Sequence, residues 1–132
     1  MALKITLKPH EKFIIGKAVI ANGDAKSTFV IENDVPILRE RDIMSLAAAD
    51  TPCKKIYFSI QLMYVDERNL AEHHKTYWEL VKEVVEAAPS VKPMLKEISQ
   101  NILDGRYYQA LKLTKKVIDY EREAIGRVRT AT

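Results

Sequence analysis

The sequence has few of the residues on which catalytic and redox chemistry depends. Cys53 is its one cysteine, so no disulfide can form within the chain, and we expect a reducing compartment. Its four glycines form no phosphate-binding loop, and it contains no cysteine pair and no Gly-x-Ser-x-Gly elbow. These absences exclude the enzyme classes that are easiest to recognise in a sequence. We therefore predict a protein that is not an enzyme and needs no cofactor.

Long hydrophobic runs are also missing. The longest apolar stretch, residues 56–65, is about half of the roughly 20 residues that a transmembrane helix needs. Residues 1–13 alternate charged and apolar side chains and contain no apolar run long enough for a signal peptide. The sequence therefore predicts a cytoplasmic protein without a membrane span.

Two sets of residues that often take part in catalysis have simpler explanations here. His73 and His74 are adjacent, so on a helix their rings diverge by about 100° and cannot share a metal ion as an i, i+4 pair can. Cys53 has no base beside it in the sequence, although Lys54 and Lys55 are neighbours that lower a thiol pKa. We interpret the histidines as a solvated helix face and Cys53 as a structural thiol, and we predict no metal site.

The positive charge is concentrated at one end of the chain. The net charge is +3, yet residues 1–50 carry seven basic and seven acidic side chains. From Gly105 onward, seven basic side chains face only three acidic ones. A polyanionic partner would bind preferentially to the C-terminal segment.

Residues 1–44 have the pattern of β-strands. Leu3, Ile5 and Leu7 alternate with polar residues, as expected for a sheet with one wet face. The β-branched run at residues 12–21 is interrupted at Gly16, where we predict a turn or bulge. Asn22-Gly23 predicts a type I′ hairpin between the strands on either side of it.

From about residue 50 the spacing of apolar residues becomes helical. Thr51 and Pro52 predict a capped helix start, Ser90 a second cap, and Gly105 a helix stop. The predicted helices cover about residues 51–65, 70–88, 90–104 and 107–125. The sequence thus predicts an α+β fold: a small N-terminal antiparallel sheet of about four to five strands, then about four helices. We expect residues 1–132 to form one domain, with a β subregion at 1–44, a helical subregion at 50–125 and a frayed tail at 126–132.

Three segments are informative when taken together: LKPHEKFIIGKAVIANGDAKSTFVIENDVPILRERDIM at 7–44, ADTPCKKIYFSIQLMYVD at 49–66 and GRYYQALKLTKKVIDYE at 105–121. In content, order and spacing they resemble the FlbT family of flagellum biosynthesis repressors. The resemblance covers about residues 3–125. It implies a cytoplasmic bacterial regulator that associates with the 5′ untranslated region of flagellin mRNA and represses translation or promotes decay. It also implies a functional link to flagellin and to the flagellar regulator FlaF.

The segment LKITLKPHEKFIIG at 3–16 and the pair Arg39-Glu40 also resemble the opening strands and the end of the last strand of the RNA-binding regulator CsrA, although His10 stands where that family has glycine. In CsrA-like proteins the first and last strands of an intertwined dimer bring basic residues together on RNA. This resemblance points to Lys8 and Arg39 as RNA-binding residues, with Arg41 beside them. An independent candidate set is the basic ridge of the last predicted helix, Lys112, Lys115 and Lys116.

Other readings stay open for these segments. Each basic set is also typical of an ordinary solvated surface. Apolar helix faces such as residues 56–65 suit a protein partner as well as a core. The alternative function is therefore a protein-binding adaptor or chaperone that acts on flagellin or FlaF without direct RNA contact. In either case we expect a homodimer, because a small sheet has exposed edges that a second copy would pair.

Overall fold

The computed structural model describes the backbone of residues 3–131 and the side chains of residues 3–66 and 68–124. The chain forms two compact units, Met1–Ile43 and Met44–Thr132. Five strands belong to the first unit and four α-helices to the second. The predicted α+β fold is confirmed. That the two units act as one domain stays a prediction.

The first unit consists of short antiparallel strands. They are β1 (Leu3–Leu7), β2 (Lys12–Ile15), β3 (Ala18–Ala21), β4 (Ser27–Ile31) and β5 (Ile37–Arg39). β1 pairs with β4 in a two-stranded sheet, and the remaining strands form a second sheet in the order β3-β2-β5. The number of strands agrees with the sequence pattern, but they are divided between two sheets.

A small apolar core lies in this unit. Ile5, Leu7 and Phe13 are at most 6% exposed. The partly buried residues packed against them are Ile15, Ile20, Ile31 and Ile37. Because this cluster contains residues of both sheets, it holds the two sheets together.

The predicted hairpin at Asn22-Gly23 is wrong. β3 pairs with β2 and β4 pairs with β1, so the segment between β3 and β4 is a crossover from one sheet to the other. Gly23 does not have the positive φ that a type I′ turn requires. The tight hairpin lies instead at Gly16-Lys17, where Gly16 has φ of 58°. Positive φ at the first central residue alone is the pattern of a type II′ turn.

The second unit consists of four helices. They are α1 (Pro52–Val65), α2 (Leu70–Ala87), α3 (Lys92–Leu103) and α4 (Tyr107–Ala131). α1 packs against α2 and α4, and α3 packs against α4. In the described part of the chain, no helix is both long enough and apolar enough to cross a bilayer. The predicted frayed tail, residues 126–132, lies outside the residues whose side chains are described.

The helix ends agree in part with the predicted signals. Thr51 caps α1, since its hydroxyl accepts the N–H of Lys54 at 3.2 Å. Gly105, with φ of 75°, follows the end of α3 as predicted. Ser90 does not cap α3, because it lies within a short 3-10 helix and its hydroxyl bonds the Tyr120 hydroxyl at 3.2 Å.

Candidate functional site

A groove in the first unit gathers the basic residues predicted from the strand pattern. Lys8 and His10 reach it from the β1–β2 turn, and Arg39 and Arg41 reach it from the end of β5. Its volume is ≈ 600 Å³, and the rest of its lining is Pro9, Glu11 and Glu40. The fold thus brings all three predicted residues of this set to one surface, although Lys8 and the arginines are far apart in the sequence.

The β1–β2 turn determines where Lys8 lies. The N–H of Glu11 donates to the carbonyl of Lys8 at 3.1 Å, which closes a four-residue turn. Pro9 occupies the second position, and His10 has φ of 63° at the third, as a type II turn requires. The Glu11 carboxylate accepts the N–H of Lys8 at 2.9 Å. The turn is therefore held from both ends, and the Lys8 side chain is exposed at the groove.

Arg39 is bonded into the fold. Its Nη2 donates to the carbonyl of Thr6 at 2.8 Å and to Oε2 of Glu11 at 3.3 Å. Its buried Nε has no hydrogen-bond partner among the described residues. The backbone N–H of Lys8, and then the charge of Arg39, lower the pKa of Glu11. Arg39 therefore links β5 to the β1–β2 turn, and part of its charge is balanced by Glu11.

Arg41 presents its charge to solvent. Its side chain is 75% exposed, and Nε lies 4.0 Å from the carboxylate of Asp42. His10 is also exposed at the groove, with Nε2 3.1 Å from Oδ1 of Asp24. Lys8 and Arg41 are accordingly the predicted cations that an incoming anion can reach most directly.

The second predicted set lies on α4. Lys112, Lys115 and Lys116 are all exposed, whereas Leu111 and Val117 of the same helix are buried. The Lys112 ammonium group lies 5.6 Å from the centroid of the Tyr108 ring, a cation–π contact. Tyr108 is 39% exposed, and its ring centroid is 6.4 Å from that of Tyr64. α4 therefore combines a basic ridge with an accessible aromatic ring.

The two histidines contact different neighbours, as their adjacency predicts, but they do not form the predicted solvated face, because both are partly buried. His73 Nε2 lies 3.0 Å from Oδ2 of Asp66, and His74 Nε2 lies 3.4 Å from the Tyr107 hydroxyl. Hydrogen bonding to His73 is the main cause of the lowered pKa of Asp66. Among the residues that the structure describes, no three metal-ligating side chains cluster.

Cys53 is buried, and its thiol stays protonated. Burial, and after it the nearby Glu121 carboxylate, raise the pKa of Cys53 to about 12. The same carboxylate accepts hydrogen bonds from the Thr51 hydroxyl and from the N–H of Cys53. A thiol in this environment is a poor nucleophile, which supports its structural interpretation.

An apolar hollow of ≈ 340 Å³ opens in the helical unit, and the sequence analysis missed it. Its lining is almost entirely apolar or aromatic, with two glutamates: Pro52, Cys53, Glu83, Val84, Ala87, Ala88, Val91, Val117, Tyr120, Glu121 and Ala124. The available signal was the pair of small residues, Ala87-Ala88, before Pro89. Small side chains at a helix end leave space that a larger residue would fill.

Comparison with known proteins identifies the family. The chain matches the family model described as flagellar protein FlbT over residues 3–125. The chain belongs to the FlbT family. FlbT proteins are regulators rather than enzymes, so membership confirms the expectation that this chain is not an enzyme.

Several curated FlbT proteins are similar over nearly their full length. A probable flagellum biosynthesis repressor protein FlbT 1 of Bradyrhizobium diazoefficiens is 45% identical, covering 96% of this chain and 87% of the relative. A probable FlbT repressor of Rhodopseudomonas palustris is 39% identical over 96% and 100% of the two chains. The flagellum biosynthesis repressor protein FlbT of Caulobacter vibrioides is 37% identical over 97% and 92%. No solved structure matches this chain.

Proposed function

We propose that this FlbT-family chain is a cytoplasmic repressor of flagellum biosynthesis that acts after transcription. In this proposal it associates with the 5′ untranslated region of flagellin mRNA and represses translation or promotes decay. Its relatives from Bradyrhizobium and Caulobacter carry the name of flagellum biosynthesis repressors. The observation that carries RNA contact is the groove at which Lys8, Arg39 and Arg41 converge.

The chemistry of this groove suits a phosphate backbone. Lysine and arginine neutralise phosphates and release the counterions condensed on the RNA. Lys8 and Arg41 would make these contacts because both are exposed. Arg39 would hold the groove in shape, because its guanidinium is already bonded to Thr6 and Glu11. Tyr108 on α4, with Lys112 against its ring, offers a second surface on which an unpaired base would stack.

Direct binding to a flagellin 5′ leader across a salt series tests this proposal. The Lys8→Gln/Arg41→Gln variant should bind more weakly, with a slope of log affinity against log salt that is shallower by roughly 0.7 per lost contact. The matched control is Lys12→Gln/Lys17→Gln, which removes two exposed charges of the same unit outside the groove. The Lys112→Gln/Lys115→Gln/Lys116→Gln variant tests the α4 ridge. Parental binding by both basic-surface variants would contradict direct contact.

The apolar hollow of the helical unit favours a second candidate function. A protein partner would insert an apolar side chain there, and RNA effects would then be indirect. The partners of this proposal are flagellin and FlaF. Ala87→Asp places a charge in the lining and should weaken binding to such a partner. Glu86→Gln, a change at the exposed neighbouring position, is the control.

A further inference from the structure

β4 is an edge strand with an apolar, exposed surface. In the described part of the chain it pairs with β1 alone, so every second residue of β4 directs its N–H and C=O away from that pairing. Val30 is 57% exposed and Phe29 is 37% exposed. The strand Ser27–Ile31 contains neither charge nor proline, two devices that commonly protect sheet edges from pairing with another chain.

The other edge strands are less suited to pairing. β1 has Lys4 at its second position, and β5 is only three residues long and follows Pro36. β3 is apolar, with Val19 69% exposed, but it is shorter than β4. An antiparallel β3 pair centred between Val19 and Ile20 would place Lys17 opposite Asn22, which provides no charge match. β4 is therefore the edge strand whose length, exposure and sequence all favour pairing with another chain.

β4 is self-complementary when two copies run antiparallel about Phe29. In that register Thr28 lies opposite Val30 of the second copy, and Ser27 opposite Ile31 of the second copy. The flanking residues then bring Lys26 opposite Glu32 of the second copy, and two-fold symmetry forms this pair twice. Opposite charges that face each other across neighbouring strands stabilise the pairing. Both Lys26 and Glu32 are exposed.

We propose that two copies of this chain associate through β4, forming a continuous sheet in the order β1-β4-β4-β1. A Lys26–Glu32 pair closes each end of the new strand pairing. The arrangement makes a four-stranded sheet from two-stranded ones, which are marginal by themselves. It differs from the intertwined dimer implied by the CsrA resemblance, because each copy keeps its own β1–β4 pair. The proposal does not depend on RNA contact, and its tests contain no RNA.

Charge reversal tests the register. Lys26→Glu places two like charges opposite each other at both ends of the pairing, and Glu32→Lys does the same with the opposite sign. Each single variant should raise the dimer dissociation constant roughly tenfold or more, measured by sedimentation velocity across the micromolar range. The Lys26→Glu/Glu32→Lys double variant restores opposite charges and should restore the parental constant. Lys17→Glu makes the same charge change in the β2–β3 turn and should leave the constant unchanged.

Disulfide trapping tests the same register by distance. A mixture of Thr28→Cys and Val30→Cys proteins should form a disulfide-linked heterodimer under oxidation, since directly opposite positions have neighbouring Cβ atoms. Either variant alone should not cross-link, because its cysteines are then diagonal neighbours, roughly 7 Å or more apart. This test also stands if a charge-reversed variant fails to fold, which circular dichroism would reveal.

The results of these experiments distinguish β4 pairing from other modes of association. Weakening by both single reversals, restoration by the double variant, and cross-linking only in the mixture support β4 pairing. A chain that stays monomeric across the micromolar range overturns it. So does a dimer that is insensitive to both single reversals, or one that cross-links equally well within each cysteine variant, because pairing then uses another edge or register.

Discussion

Asn22 holds the crossover between the two sheets through one side-chain amide. Its Nδ2 lies within 3.3 Å of the carbonyl oxygens of Leu7, Lys8 and Ala25, and its Oδ1 accepts the N–H of Gly23 at 2.9 Å. The residue is only 9% exposed, so water does not readily replace these partners. Asparagine is required here for its hydrogen bonds, which explains why the turn interpretation of Asn22-Gly23 was wrong.

Replacing Asn22 should destabilise the chain much more than replacing its neighbour. Asn22→Ala removes the amide donor that the carbonyl groups of Leu7, Lys8 and Ala25 share, and should lower the free energy of unfolding by about 2 kcal/mol. Gly23→Ala should have little effect, because its φ is not positive and an added Cβ would meet nothing within 4 Å. Urea denaturation of both variants checks this. Equal losses of stability would show that Asn22 is not the anchor.

Cys53 should react slowly with thiol reagents in the folded protein. A thiol whose pKa rises from 9.0 to about 12 holds roughly a thousandfold less thiolate at a given pH. We expect much slower labelling at about pH 8 in buffer than in urea. The raised folded pKa also means that the stability contributed by the neutral thiol is complete below 9.0 and is lost as pH rises towards 12. Equal labelling rates in buffer and urea would contradict the buried, protonated state.

At the scale of elements, the side chain of Glu121 in α4 binds the N-terminus of α1. Glu121 accepts hydrogen bonds from the Thr51 hydroxyl and the N–H of Cys53, and Thr51 accepts the N–H of Lys54. A carboxylate at a helix N-terminus is stabilised by unpaired N–H groups and by the helix dipole. Two helices that are far apart in sequence are thereby joined at one point.

Removing this charge should weaken the helical unit. We expect Glu121→Gln to lower the free energy of unfolding by about 1 kcal/mol, because a neutral amide interacts less well with the helix terminus. Glu123→Gln removes the same charge from an exposed position of α4 and is the control. Thermal denaturation at neutral pH measures both. If the two variants have the same melting temperature, the contact of Glu121 with α1 does not stabilise the fold specifically.

The elements differ in how far local sequence determines them. The α1 start was predictable from Thr51-Pro52 because a cap acts on the next few residues. The supporting role of Glu121 was not predictable, since its partners lie about 70 positions away. For the strands, alternation predicts that they exist but not which of them pair. The sequence therefore predicts that β3 and β4 are strands, but it does not predict that they pair with β2 and β1.

The residues of the candidate site also differ in how far the sequence predicts their roles. Lys8, Arg39 and Arg41 could be named from the sequence because its strands resemble those of CsrA, and because cations suit a polyanion. The bond from Arg39 to Thr6, and its contact with Glu11, depend on the register of β5 against β2 and on the β1–β2 turn. Only the three-dimensional structure distinguishes the exposed cations Lys8 and Arg41 from Arg39, which is bonded into the fold.

At the scale of the whole molecule, the two units should differ in their ability to fold alone. Residues 44–132 carry a helical core with many fully buried side chains, whereas residues 1–43 bury only a few. We expect the isolated segment 44–132 to keep its helical circular dichroism and segment 1–43 to stay unfolded, because so small a sheet buries too little apolar surface. Cooperative folding of isolated 1–43 would establish two independent domains.

The left-handed backbone at His10 has a consequence for how stability and activity are balanced. A non-glycine residue with φ of 63° costs up to about 1 kcal/mol that glycine would avoid. His10→Gly should therefore raise the melting temperature, because the contact with Asp24 that it removes is largely exposed to solvent and contributes little stability. Residues held in such conformations concentrate at functional sites. A variant that melts higher but represses flagellum biosynthesis less would show that selection has kept an imidazole in this groove at the expense of a more stable protein.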